Sequence, residues 1–213
     1  MQEIVPGVFH WNAKHPRIGL LVSSYWLEEE GVLLDPLVPP DVGIEWFANR
    51  SAAPSAVILS NRHHYRQSDR FAERFGCPVL CISAGMHEFT HGEDVEPFEF
   101  GDQLPAGLRA VEIDAICPDD TALYSASGQW VAFADGLVRG GPHGQANLLG
   151  FVSDGLMDDP PATKQGLLES FRRVLDQLEF RHVLLAHGDP IVGSGREALE
   201  DLVETGGRTA FDL

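Results

Sequence analysis

The sequence predicts a sandwich of helices and sheets, in the α/β or α+β class, because antiparallel hairpins in each half are mixed with strand–helix units. Short runs of β-branched and aliphatic residues indicate the strands, and apolar stripes with a helical period indicate the helices. With 213 residues, of which 44% are hydrophobic, the chain has enough apolar side chains for a substantial core. No low-complexity linker or internal repeat interrupts it, which predicts one domain over residues 1–213.

The first third of the chain has the composition of β-structure. The predicted strands are Val8 to Trp11, Ile18 to Leu27 and Val32 to Asp35. Between the last two strands, Glu28 to Gly31 has the polar, glycine-ended composition of a hairpin turn. Asp41 is then predicted to cap a short helix that continues through Trp46 and Phe47.

The middle of the chain predicts a strand–helix–strand unit. Ala56 to Ser60 is a short apolar run, as expected of a strand that is covered on both faces. Ser68 to Phe75 has aromatic residues at helical spacing and stops at Gly76, a common residue just after a helix. Pro78 to Ile82 is predicted to be the next strand, and the turn before the helix is rich in polar residues.

The last part of the chain predicts a hairpin followed by helix, strand and helix. The hairpin strands are Thr121 to Ser125 and Gln129 to Asp135, and an apolar stripe from Leu167 to Leu178 predicts a helix. Arg181 to Ala186 reads as a buried strand. Ser194 to Glu197 has the capping-box pattern and predicts the start of a final helix.

Polar residues at the carboxyl ends of buried strands are candidates for chemistry, because α/β folds place their sites there. Four predicted strands end near Leu59, Ile113, Phe133 and Leu185. They are followed by His63, Cys117, Asp135 and His187, each of which can bind a metal or move a proton. A single histidine, cysteine or aspartate in such a place is usually structural. These four residues therefore indicate a functional site only when their order along the chain is considered together.

The order of these features resembles the metallo-β-lactamase-fold superfamily over nearly the whole chain. The family has a hairpin ending in Asp, a strand leading into an H-x-H-x-D-H motif, a helix, a G-x-P-V strand, and later a His, an Asp and a final His. The matching residues here are Asp35, the segment Asn61 to Arg66, the segment Gly76 to Val79, Cys117, Asp135 and His187. The resemblance implies a four-layer αββα sandwich, with two mixed sheets inside and helices outside.

The sequence departs from the family at several metal-ligand positions. Within the motif it keeps His63, but it has Asn61 for the first His, Tyr65 for the Asp and Arg66 for the last His. Cys117 stands where another His is expected. Because a guanidinium stays protonated in proteins, Arg66 is not a ligand and its charge opposes a second divalent ion nearby.

The resemblance implies a hydrolase of a small-molecule ester, thioester or similar bond, with at most one zinc or iron ion. The implied metal ligands come from Asn61, His63, Cys117, Asp135 and His187. The ion would activate a water that Asp135 orients. Arg66 would replace the second cation by binding an anionic substrate group or an oxyanion, which puts Asp135, His63, Tyr65 and Arg66 among the expected catalytic residues.

A metal-free alternative stays open, in which the fold is a ligand-binding or non-catalytic protein and His63, Tyr65 and Arg66 form an anion pocket. A third alternative is an iron-dependent redox role, since a thiolate at Cys117 suits iron as well as zinc. Two further substrate contacts are considered. His143 lies on a glycine-rich loop, and His64, expected to face away from His63 in an extended segment, is the substitute ligand if the register differs by one.

Composition restricts the partners. Asp and Glu number 32 against 15 Lys and Arg, giving a net charge of −17, which argues against nucleic acid and anionic membranes as partners. We interpret the scattered acid pairs, Asp119–Asp120 among them, as solvated surface. The three cysteines and an amino terminus without signal-peptide features predict a cytoplasmic protein. A homodimer stays open, with one of the four tryptophans as an interface anchor.

Overall fold

We describe the protein from a computed structural model, which covers residues 1–140 and 148–206. The chain forms two compact units, residues 1–108 and residues 109–213. The expectation of a single domain over residues 1–213 stays a prediction. Among the described residues, no helix combines the length and the apolar character that crossing a membrane requires.

The first unit is built on a seven-stranded mixed sheet whose strands lie in chain order. Its strands are β1 (Gln2–Val5), β2 (Val8–Lys14), β3 (Leu21–Leu27), β4 (Val32–Leu34), β5 (Ala56–Ile58), β6 (Val79–Ile82) and β7 (Val95–Phe98). Strands β1 to β4 pair antiparallel through hairpins, whereas β4 to β7 pair parallel. The carboxyl ends of β4 and β5 therefore lie side by side at one edge of the sheet.

Helix α1 (Ser68–Phe75) connects β5 to β6 and has the bounds that its sequence predicts. It ends at Gly76, whose φ of 67° is the left-handed conformation expected there. The short helix predicted after Asp41 is a 3-10 helix, Ile44–Asn49, and its N-cap is Gly43. The predicted cap at Asp41 is thus wrong.

Phe47, on that 3-10 helix, is at the centre of the aromatic packing of the first unit. Its ring is fully buried and lies 5.2–5.8 Å, centroid to centroid, from the rings of Trp11, Trp26, Trp46 and Phe71. Three of these contacts are edge-to-face, the arrangement that aromatic quadrupoles favour. The Trp46 ring also carries the Arg50 guanidinium at 4.3 Å from its centroid.

The second unit has a four-stranded mixed sheet in the order β13–β10–β9–β8, and a two-stranded ribbon. The strands of the sheet are β8 (Arg109–Glu112), β9 (Thr121–Ser125), β10 (Trp130–Phe133) and β13 (His182–Leu185). The ribbon pairs β11 (Val138–Arg139) with β12 (Leu149–Gly150). Strands β10 and β13 are parallel neighbours, and Phe133 is in register with Leu185.

Two helices complete the described part of the second unit, α2 (Pro160–Gln177) and α3 (Gly195–Thr205). The apolar stripe of α2 packs into the core of this unit, where Leu167, Phe171 and Val174 are buried. Asp159 caps α2 by accepting a hydrogen bond from the Ala162 N–H. Ser194 is the N-cap of α3 as predicted, but its side chain makes no capping hydrogen bond.

His182, the first residue of β13, gives the stability of the protein a pH dependence. Burial, together with the charge of Arg181, lowers the pKa of His182 below its usual value. Its Nδ1 lies 2.9 Å from the Gly193 N–H and accepts that hydrogen bond as a neutral ring. Because the unfolded chain then binds a proton more readily, the stability that neutral His182 contributes is present above about pH 6.5 and is lost as the pH falls below it.

We expect the His182→Asn variant to lose less stability than the unmodified protein between about pH 7 and pH 5, since its amide oxygen accepts the same hydrogen bond without titrating. Urea denaturation at a series of pH values measures this slope. His91→Asn changes an exposed histidine of the first unit and is the control. Equal slopes for His182→Asn and the unmodified protein would contradict the assignment.

Candidate functional site

Asp135 and His187 are brought together in the second unit. Each lies two residues beyond its strand, Asp135 after β10 and His187 after β13, and the two strands are parallel neighbours. Asp135 Oδ1 lies 2.9 Å from His187 Nε2, and each side chain is 24% exposed. The pair is thus a carboxylate–imidazole contact that solvent reaches.

The turn that carries His187 depends on Gly188. The φ of Gly188 is +99°, and a Cβ at this position would overlap the carbonyl oxygen of Arg139. The Arg139 N–H in turn donates to the His187 carbonyl at 2.9 Å. Glycine therefore allows β11 to pass directly beside this turn and hold the backbone of His187.

The donor set of this pair suits a transition-metal ion. A carboxylate oxygen and an imidazole nitrogen are both ordinary ligands of zinc and of iron. The described structure places the two ligand atoms close enough to bind one ion. An ion bound here would replace the direct hydrogen bond between the two side chains.

A second polar cluster lies in the first unit, where β4 and β5 end. The Asp35 carboxylate accepts hydrogen bonds from the Ser60 N–H at 2.8 Å and from Ser60 Oγ at 2.5 Å. His64 Nδ1 lies 3.0 Å from Asp35 Oδ2 and 2.9 Å from Ser60 Oγ. Asp35, Ser60 and His64 are all buried, so this network is closed to solvent.

The network fixes the tautomer of His64. Because Ser60 Oγ donates to Asp35, the hydrogen bond between Asp35 and His64 needs the proton on Nδ1. His64 lowers the pKa of Asp35 as a charged ring, and when the ring gives up its other proton to bind a metal its lone pair is on Nε2. A carboxylate that holds one nitrogen of a histidine in this way is a common partner of metal-binding imidazoles.

Asp35 is held in its charged form. Burial alone would raise its pKa, but the charges of His64 and Arg66 and the hydrogen bonds from His64 and Ser60 hold the pKa of Asp35 below its usual value. Its backbone φ of 47° lies in the left-handed region, which is uncommon for a residue other than glycine. The hydrogen bonds of its side chain and carbonyl stabilise this conformation.

Arg66 is occupied by backbone carbonyls. Its Nη1 donates to the carbonyl oxygens of Ser23 at 2.5 Å and Asp35 at 2.7 Å. Like Asp35, it has a positive φ, of 50°. The sequence predicts an anion-binding role for Arg66, and this role stays a prediction. The observed contacts give the guanidinium a structural role between β3 and the residue after β4.

Residues 62–65 form a 3-10 helix, so the expectation of an extended segment here is wrong. The Asn61 side chain accepts a hydrogen bond from the His63 N–H at 2.9 Å and is the N-cap of this turn. In a helical turn, neighbouring side chains do not alternate between two faces. His64 is accordingly the buried histidine, whereas His63 is exposed.

Tyr65, at the position of the family's Asp, lies against Phe89 with a ring-centroid distance of 5.8 Å. Burial, together with the charges of Asp69, Glu93 and other acidic neighbours, raises the pKa of its phenol. The phenol therefore stays protonated at neutral pH. A phenol that keeps its proton is a poor metal ligand but can donate a hydrogen bond.

The remaining predicted residues are less informative. Cys117 is partly buried, and its backbone carbonyl accepts a hydrogen bond from the Asp120 N–H at 3.1 Å. His143 lies outside the described residues. Ser60 and Asp120 were not predicted to take part in a site. The position of Ser60, two residues beyond the buried strand β5, is the one signal that points to it.

No protein-family model matches the chain, and no curated protein is significantly similar to it in sequence. Solved structures do match. A metallo-β-lactamase family protein from Thermus thermophilus is 17% identical with a TM-score of 0.66, and the match covers 95% of this chain and 80% of that one. A protein solved in a di-iron-bound form is 20% identical with a TM-score of 0.64, over 85% and 94% of the two chains.

A flavodiiron protein from Giardia intestinalis is 15% identical with a TM-score of 0.66 over 96% of this chain, which spans 58% of that protein's length. Identities this low establish a fold and no activity. They agree with the mixed sheets and flanking helices described above, and with the resemblance found in the sequence. The chain has the metallo-β-lactamase fold.

Proposed function

We propose that this protein is a metal-dependent hydrolase that cleaves an ester, thioester or similar bond of a small molecule and uses at most one metal ion. The observation that supports it best is the Asp135–His187 pair, with 2.9 Å between Oδ1 and Nε2. The pair lies at the carboxyl ends of two adjacent parallel strands, where folds of this class place their chemistry.

We assign Asp135 and His187 as metal ligands. The family resemblance implies a further ligand in the segment Asn61 to Arg66, and we propose His64 for it. His64 is preferred to His63 because its Nδ1 is bonded to Asp35 and Ser60, which orients the ring and leaves Nε2 as the ligand atom. His63 is exposed. Cys117 stays in the proposed set as a thiol donor, whereas the Asn61 oxygen is used as a helix cap.

We propose one bound ion rather than two because of the residues that stand at the positions of the family's second metal site. Arg66 has no lone pair to offer, and its guanidinium is bonded to two carbonyl oxygens. Tyr65 keeps its proton because its pKa is raised. Neither residue supplies the anionic or imidazole donors that a second ion requires.

The proposed chemistry is hydrolytic. Zinc or iron held by these residues would supply a Lewis acid, which lowers the pKa of a bound water toward neutrality. Asp135 would orient that water through its carboxylate, and His187 would help to hold the ion. Tyr65 would donate a hydrogen bond to the substrate.

An iron-dependent redox role is the second candidate, because two of the matching structures are a di-iron-bound form and a flavodiiron protein. A thiol donor at Cys117 is also compatible with iron. Two measurements distinguish this candidate from the hydrolase. One is the identity of the bound metal, and the other is whether esterase activity is lost or gained when zinc replaces iron. An activity on p-nitrophenyl esters that zinc restores after chelation supports the hydrolase.

Metal analysis of protein purified without chelator tests the proposal. We expect close to one equivalent of zinc or iron. Metal added to chelated protein should raise its thermal stability, and at a free metal concentration of 100 times Kd the free energy of unfolding rises by about 2.7 kcal/mol. Asp135→Ala and His187→Ala should lose this gain, and His64→Ala should weaken binding far more than His63→Ala.

His91→Ala, which removes an exposed histidine of the first unit, is the control for nonspecific binding. Absence of bound metal, together with no stabilisation by zinc or iron, would leave the metal-free, ligand-binding alternative. Full metal occupancy in Asp135→Ala would show that the ligand assignment is wrong. A larger effect of His63→Ala than of His64→Ala would overturn the choice between the two histidines.

A further inference from the structure

Asp119 and Asp120 are not part of the solvated surface. Both residues are buried, with exposed fractions of 0% and 1%, so their interpretation as surface acid is wrong. A buried carboxylate is costly unless hydrogen bonds compensate the loss of water. The contacts of Asp120 show where that compensation comes from.

The Asp120 carboxylate accepts hydrogen bonds from the two peptides on either side of the Asp135 Cα. Its Oδ1 accepts from the Asp135 N–H and its Oδ2 accepts from the Gly136 N–H, each at 3.1 Å. Glycine at 136 is required for this approach, because a Cβ there would overlap Oδ2. One side chain thus fixes two consecutive amides of the turn after β10.

The backbone of Asp120 connects the same turn to the loop that carries Cys117. Its N–H donates to the Cys117 carbonyl and its carbonyl accepts from the Ile113 N–H, each at 3.1 Å. Asp120 therefore forms hydrogen bonds with both segments that carry the proposed ligands Cys117 and Asp135. Its two oxygens, facing two N–H groups, form an arrangement that asparagine does not reproduce, since one amide end is a donor.

We propose that Asp120 is a positioning residue that sets the orientation of the Asp135 carboxylate, and thereby the metal affinity of the site. This inference rests on the proposed function, because it concerns the same ligand. The two hydrogen bonds fix the peptide planes on either side of the Asp135 Cα, and these planes determine where its side chain points. Without them the turn after β10 loses the two side-chain hydrogen bonds that hold its backbone.

Titration of chelated protein with cobalt(II), followed by its visible absorption, is the test. Asp120→Asn turns a donor toward one of the two N–H groups and should weaken cobalt binding by about 10–100-fold, the range seen when outer partners of metal ligands are removed. The cobalt spectrum should also change, because Asp135 is displaced. Loss of stability alone would change neither the spectrum nor the affinity of the folded protein.

Ser125→Ala is the control, because Ser125 is buried in the same unit and accepts from the Gly128 N–H beside the start of β10, at the other end of that strand from Asp135. It should destabilise the protein and leave cobalt affinity within about twofold, as expected for a lost hydrogen bond remote from the site. Gly136→Ala is the second variant, since its Cβ displaces the Asp120 carboxylate without changing any charge. It should weaken cobalt binding as Asp120→Asn does.

Amide NMR separates the failure of this inference from the failure of the proposed function. In metal-free protein, Asp120→Asn should shift the Asp135 and Gly136 amide resonances and speed their hydrogen exchange. Cobalt binding with unchanged affinity and spectrum in both variants overturns the inference, as do unchanged amide signals. Absence of cobalt binding in the unmodified protein overturns the proposed function, and the amide signals then decide the inference alone.

Discussion

Replacement of Asp35 by alanine is expected to lower the free energy of unfolding by about 3–5 kcal/mol, the cost of removing one partner of a buried charged pair. The Asp35 carboxylate accepts hydrogen bonds from the Ser60 N–H, Ser60 Oγ and His64, all of them buried. Alanine leaves these donors without an acceptor. Urea denaturation of the two proteins at pH 7 measures the difference.

Asp94→Ala, which removes an exposed carboxylate of the same unit, is the matched control and should change stability by less than about 0.5 kcal/mol. Asp35→Asn should fall between the two, because an amide keeps one acceptor and loses the charge. A loss below about 1 kcal/mol for Asp35→Ala would mean that water replaces the carboxylate and that the network is not closed.

Replacement of Phe47 by alanine is expected to cost about 3–5 kcal/mol through lost burial and the cavity that remains. Its ring is fully buried and contacts Trp11, Trp26, Trp46 and Phe71, so few neighbours are free to collapse into the space. Tryptophan fluorescence should change with the loss, since three indoles lose a packing partner. Chemical denaturation gives its magnitude.

Phe75→Ala is the comparison, because Phe75 is a partly buried aromatic residue at the end of α1. It should cost clearly less than Phe47→Ala, in proportion to the smaller area that it buries. Similar losses for the two variants would show that the 3-10 helix bearing Phe47 adjusts to fill the cavity, and that this segment is not a rigid part of the core.

The regular elements could be predicted because their signals are local. Helix α1 has its predicted bounds since its aromatic spacing and Gly76 both act within a few residues. Strand β5 has a buried apolar run of its own. Strands β1, β7, β11 and β12 were not predicted, because strands of two to four residues are set by pairing with a neighbouring strand rather than by their own composition.

The candidate site could be predicted in part. Asp135 and His187 lie at the ends of β10 and β13, and parallel pairing of those strands puts them in contact. The choice of His64 over His63 stays a proposal, and its basis, the cap at Asn61 that makes the segment helical, was not predicted from the sequence. The burial of Asp120 could not be predicted from the sequence, because an Asp–Asp pair has the same local sequence whether its carboxylates face water or backbone amides.

The contacts of Arg66 have a consequence for protein engineering. An attempt to restore a two-metal motif by Arg66→His would remove the guanidinium from the carbonyl oxygens of Ser23 and Asp35. The Asp35 carbonyl would keep its hydrogen bond from Ser24 Oγ, but both oxygens would lose a charged donor, and a hydrogen bond to a charged group contributes about 1.5–3 kcal/mol. The histidine would gain a lone pair for metal but destabilise the sheet edge that must position it. We therefore expect Arg66→His alone to destabilise the protein without restoring the family motif, which also requires changes at Asn61 and Tyr65.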